Sequence, residues 1–197
     1  MNFLKKLFNL SSQEEPVVEK QPVNLTMDEL FVHNFWKKGG KFLYCVKNTE
    51  VIENLKKVLF ENNWNELFLL NKNLATFFTK DEAKIVTKYS QETPIFSTCE
   101  HLIADNGDIL FSSNQIGSTR LPDFPKNFII YATTSQIVKN SGQGLTGIKM
   151  NNKHILPTNI SAIKNYDVNK SDDNFLNYGN NNSKNLYLLL LEDLWYE

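Results

Sequence analysis

Near the end of the chain, residues 186–191 read LYLLLL, closed by Glu192 and Asp193. A strand with one wet face alternates apolar and polar residues. An unbroken apolar run of strand length therefore marks a strand covered on both faces, the usual situation in a sheet flanked by helices. The run is also far short of the roughly 18 to 20 apolar residues that span a bilayer. A chain carrying it must supply a second layer on each side of one sheet.

The upstream sequence supplies such layers. TMDE at residues 26–29 forms a capping box that opens a helix carrying Leu30, Phe31 and Phe35, and Gly39 and Gly40 end it. KFLYCV (41–46) has strand length, and the following NTEVIENLKKVLFENN places Val51, Ile52, Leu55, Val58 and Leu59 on one helical face. ELFLL (66–70) then predicts a strand and NLATFF (73–78) a short helix, so strand and helix alternate as in a partly parallel α/β sheet. KIVTKY (84–89) fits either strand or helix. From Cys99 onward EHLIAD, DILFSS and NFIIYAT follow in quick succession as strands. Residues 139–153, with three glycines, read as a mobile loop, and their GQGLTG lacks the Lys-Ser/Thr of a phosphate loop.

Residues 1–25 stand apart from a single domain expected over 26–197. Phe3, Leu4, Leu7, Phe8 and Leu10 have near-helical spacing, interrupted by Lys5 and Lys6, so the apolar core of a secretory signal is missing. SSQEEPVVEKQPVNL (11–25) has the composition of a linker. No segment has the length and hydropathy of a transmembrane span, and a cytoplasmic location is expected.

A net charge of -1 and a pI near 6.3 create no field that would gather nucleic acid or anionic lipid. Two cysteines, Cys45 and Cys99, both in apolar contexts, cannot assemble an iron-sulfur set, so no cofactor is expected within the chain. His33, His101 and His154 lack metal-ligand spacing, and His101 in its strand context reads as a half-buried structural residue.

The pair Asn106-Gly107, between LIAD and DILF, is the strongest local hairpin signal. Both residues tolerate the positive φ of a type I′ turn. Asp105 and Asp108 flank it and Glu100 lies upstream. Such carboxylates could do acid-base chemistry if burial raised one pKa, but flanking a tight turn they more often serve solubility or turn hydrogen bonding.

The same stretch carries a family resemblance. IADNGDILFSS followed by RLPDFPKNFIIYATTSQIV resembles the signature of the LUD domain, the lactate utilization protein C family. Its pattern runs I-A-x-T-G-T with two apolar residues, then L-P, then a strand ending in an I-V helix start. Ile103, Ala104, Gly107, Leu110, Leu121, Pro122, Ile129, Ile137 and Val138 take the matching positions. LPTNISAI (156–163) stands where relatives carry G-P-S-x-T-A-D-I-E, and GNNNSKNLYLLLL (179–191) where they carry G-x-H-G-P before an apolar strand. The resemblance spans about residues 40–194. It departs where Thr-Gly-Thr becomes Asn106-Gly107-Asp108, where the acidic residues of the second block are absent, and where His-Gly-Pro becomes Asn181-Asn182-Ser183.

The resemblance implies an α/β fold like that of the CoA-transferase and ribose-phosphate isomerase superfamily: a mixed Rossmann-like sheet with helices on both faces. Ligands of open α/β sheets sit outside the carboxyl ends of the strands, and three polar loops are candidates to meet there. The first brings Asp105, Asn106 and Gly107 with Ser112, Ser113 and Asn114, the second Thr158 and Asn159, and the third Gly179, Asn182 and Lys184. Glycines and small polar side chains suit a phosphate- or carboxylate-bearing small molecule, because backbone N–H groups can approach it closely. Lys164, Lys184 and Arg120 could add charge, or could be ordinary solvated side chains. By resemblance, the expected role is oxidation of lactate to pyruvate with iron-sulfur oxidoreductase subunits as partners. The alternatives are an enzyme of the same fold acting on an acyl-CoA or sugar phosphate, and a non-catalytic binding or assembly module.

Overall fold

The computed structural model describes residues 25–78, 83–152, 156–167 and 183–193; the N-terminal amphipathic stretch, Gly179 and Asn182 lie outside them. The first helix, α1 (Met27–Lys37), starts at the expected capping box, where the Thr26 N–H donates to Glu29 Oε2 at 2.8 Å. It stops at Gly39, whose φ of 89° continues no helix. β1 (Lys41–Cys45), α2 (Asn48–Glu61) and β2 (Glu66–Leu69) follow as the apolar spacing predicts, and a 3-10 helix occupies Lys72–Phe77. KIVTKY resolves as a short strand, β3 (Lys84–Val86).

Next come β4 (Ile95–Thr98), β5 (His101–Ile103), β6 (Asp108–Ser112), the one-turn α3 (Ser113–Ile116), β7 (Asn127–Thr133), β8 (Ile137–Val138), α4 (Ser141–Asn151), β9 (Ile160–Ile163) and β10 (Asn185–Leu191). The strands form two sheets. The larger has the order β1-β10-β7-β4-β2-β3 and every pairing in it is parallel. The smaller has the order β8-β5-β6-β9, parallel between β8 and β5 and antiparallel elsewhere.

Strand β10 explains the LYLLLL run. It is threaded between β1 and β7, with Leu188 opposite both Phe42 and Ile130. Leu189 packs with Val51, Leu55 and Leu59 of α2 on one face, while Leu186, Leu188 and Leu190 join Phe31 and Phe35 of α1 on the other. That second face is not covered by helices alone. The inner side of the small sheet, with Leu102, Ile109, Phe111 and Ile163, fills the same core beside α1. The outer side of the small sheet is closed by α4, where Ile103 and Leu110 meet Ile148.

Two local expectations are corrected. Residues 139–153 do not form a loop: 141–151 are helical, capped by the Asn140 side chain, which accepts the Gln143 N–H at 3.0 Å. The glycines lower helix propensity but allow close packing. A Cβ on Gly144 would lie 2.8 Å from Leu110 Cδ1, and one on Gly147 would lie 2.5 Å from His101 Nε2. The Asn-Gly hairpin forms, but not as a two-residue type I′ turn. The last strand pair is Ile103 with Asp108, leaving Ala104, Asp105, Asn106 and Gly107 in the loop. Gly107 alone among these has positive φ, 71°, and its N–H closes onto the Ile103 carbonyl at 2.7 Å.

Candidate functional site

The hairpin tip is tied to α1. Asn34 Nδ2 donates to the carbonyls of Ala104 (2.8 Å) and Asp105 (3.1 Å), and the Tyr166 hydroxyl donates to the Gly107 carbonyl at 2.6 Å. Asn106 bonds Asp108 twice: its amide nitrogen donates to Oδ2, and its oxygen accepts the Asp108 N–H, both at 3.0 Å. Asp108 is buried and takes Lys38 Nζ at 2.6 Å on its other oxygen. Asp105 is exposed; only its backbone turns inward, the carbonyl to Asn34 and the N–H to the Lys139 carbonyl. Both oxygens of one flanking carboxylate are thus occupied by structural partners, and the other carboxylate lies in solvent.

The far end of β6 has different company. Ser113 Oγ accepts the Thr158 N–H at 2.9 Å, and the Ser113 N–H donates to the Asn159 carbonyl at 2.9 Å, so the second polar loop is fastened to the start of α3. Asn114 Nδ2 reaches Asn152 Oδ1 at 3.0 Å. Two of the three polar loops therefore meet, at Ser113. The hairpin tip lies at the opposite end of β6, about 14 Å away for a strand of this length. Lys184 is elsewhere again, at the amino end of β10. It is buried, and its ammonium donates to the Phe124 (2.8 Å) and Pro125 (3.1 Å) carbonyls, with burial pushing it down to about 8. Arg120 is spent on Asp123 at the surface, and Lys164 is exposed.

Ser112, fully buried, leads to the residues that sequence reading passes over. Its hydroxyl donates to Glu100 Oε1 at 2.5 Å, and its N–H to Gln115 Oε1 at 3.4 Å. Gln115 Nε2 donates to Thr98 Oγ1 at 3.4 Å, and Thr98 donates through its N–H (3.0 Å) and hydroxyl (3.1 Å) to Asn71 Oδ1, which also accepts from Ser97 Oγ. A continuous polar chain thus runs from Asn71, after β2, to Glu100, after β4. The half-buried Glu100 turns its second oxygen to no described residue.

This chain lies at the carboxyl ends of neighbouring parallel strands whose continuations part. After β2 the chain packs Leu74 and Phe77 on the α2 face, whereas after β4 it packs Leu102 on the small-sheet face. Such a topological switch point is where open α/β sheets leave a crevice. The signal available in sequence was slight: LFLLN and FSTCE each close an apolar strand with a polar residue. His101 is no part of this polar chain. It is buried in β5 with Nδ1 3.3 Å from the Gln136 carbonyl, and its Nε2 faces Gly147 without a partner among the described residues.

Among the described residues no three His, Cys, Asp or Glu side chains cluster as metal ligands, and no helix is long and apolar enough to cross a membrane. Cys45 and Cys99 are buried in separate cores on opposite faces of the large sheet. No protein-family model matches the chain, and no curated protein does. Among solved structures the chain is similar to a DUF162 family protein from Deinococcus radiodurans. The TM-score is 0.60 at 13% identity, covering 86% of this chain and 99% of that one. A likeness at this identity establishes the shared α/β fold with its mostly parallel central sheet.

Proposed function

We propose that the chain is a stand-alone LUD-type module serving lactate utilization, in which lactate is oxidised to pyruvate together with iron-sulfur oxidoreductase subunits. The LUD domain is DUF162-related, and the ordered signature blocks of this sequence accompany the fold of a DUF162 family protein. The observation that carries the reading is the polar chain ending on Glu100 at the β2/β4 switch point. It gathers a carboxylate, two side-chain amides and the hydroxyls of Ser97, Thr98 and Ser112 at the carboxyl ends of these strands, a set suited to a small hydroxylated molecule rather than to a metal or polynucleotide.

The test is to purify the tagged full chain from its native lysate and, in parallel, to measure growth of a deletion strain on lactate. Iron-sulfur subunits should co-purify, the deletion should slow growth on lactate, and Glu100→Gln should fail to restore growth while melting like the parent. Unimpaired growth of the deletion strain sinks the lactate role. A bound small ligand without partner subunits would favour an enzyme of the same fold, and neither would favour an assembly module.

A further inference from the structure

We propose that the seam between α4 and β9 is a binding groove for an amphiphilic anion, a carboxylate with a short unbranched apolar tail. Two depressions lie along this seam. One, of about 300 Å³, is lined on its polar side by Asn106, Asp108, Ser141, Ser161 and Lys164. The other, of about 240 Å³, is lined by Ile148, Lys149, Leu156 and Pro157. Leu145 and Ile160 line both, so the two are one groove that changes from polar to apolar along its length. Its size is that of a small-molecule site and too small for a docked helix.

The apolar end is unusually open for such residues. Leu145 is 47% exposed and Leu156 56% exposed, on either side of the buried Ile148. A tail laid between them would remove from water surface that the fold itself leaves wet. The polar end favours negative charge. Asp108 is already neutralised by Lys38, and Asn106 is engaged with Asp108. Lys164 is exposed and pairs with no carboxylate among the described residues. Helix α4 opens beside it at Ser141 with no acidic residue in its first turn, so the helix dipole adds to the lysine rather than opposing it. A cationic or neutral head would forgo both contributions. The groove shares no residue with the polar chain that ends on Glu100, so its failure would leave the proposed function standing.

The test uses the full chain and calorimetric titration with butanoate, hexanoate, octanoate and decanoate below their micellar concentrations, with 1-octanol as the uncharged control. Affinity should tighten between about two- and four-fold per added methylene, the upper figure corresponding to full burial. Octanoate should bind at least about five-fold more tightly than 1-octanol. Lys164→Gln should reduce that preference, leaving only the part due to the α4 dipole, with 1-octanol unchanged, and Leu145→Asn should flatten the chain-length dependence. Both positions are exposed, and the octanol arm reports on the fold of the lysine variant. Affinity independent of chain length, equal binding of octanol and octanoate, or parental octanoate affinity in Lys164→Gln would overturn the proposal.

Discussion

Gly107 shows how much one residue of the hairpin carries. Its φ of 71° is strained for any side chain, and a Cβ there would lie 2.5 Å from the Phe35 backbone nitrogen. Gly107→Ala should therefore cost about 3 kcal/mol or more, seen as a large drop in the urea midpoint, because backbone rather than a flexible side chain stands in the way. Lys184 is a lysine whose ammonium is taken out of water. Its ammonium is held down to about 8, first by burial and then by Lys126, against the opposing pull of Asp123. Between about pH 8 and its ordinary value of 10.5 the unfolded chain holds more protons at this position than the folded one, so its contribution to stability rises with pH. The stability difference between the parent and Lys184→Met should shift in favour of the parent across this window. A difference independent of pH in chemical denaturation would contradict the assignment.

Among the elements, α4 is the one whose sequence misleads. Three glycines in eleven residues read as a loop on propensity alone, yet Gly144 and Gly147 are the positions that lie against β5 and β6. Propensity is a local quantity, and the gain from close packing on Leu110, Ile103 and His101 depends on strands some forty residues upstream. Gly147→Ala raises local helix propensity but should loosen α4, since the added methyl meets His101 Nε2. Faster hydrogen exchange across the α4 amides, at a cost of about 1–3 kcal/mol, is the expected result. The helices α1 and α2 were legible because their apolar spacing is local, and the capping box at Thr26 is present as expected, whereas the Asn/Thr cap that the sequence suggests before α2 does not form: Asn48 is already helical and Lys47 is the N-cap, with no side-chain cap bond. The type I′ turn does not form for the opposite reason: Asn-Gly is permissive, and α1 with Tyr166 selects a wider loop.

At the scale of the molecule, one strand organises both cores. Because β10 lies between β1 and β7 and packs against α2 on one face and against α1 and the small sheet on the other, Leu188→Ala should cost about 3 kcal/mol and lower the denaturant midpoint of the whole described fold together. The unbroken apolar run, the strand-helix alternation and the short polar punctuation were enough to determine an α/β molecule with a two-sided central strand, since burial on both faces removes the alternation that a wet face imposes. They could not determine which polar residues meet. The chain from Asn71 through Thr98 and Gln115 to Ser112 and Glu100 joins loops separated by up to some forty residues, and the hairpin tip and Lys184, both read as rims of one site, lie at other ends of the sheets. Strand order and register decide such meetings, and they follow from how the cores close rather than from any residue's neighbours in sequence.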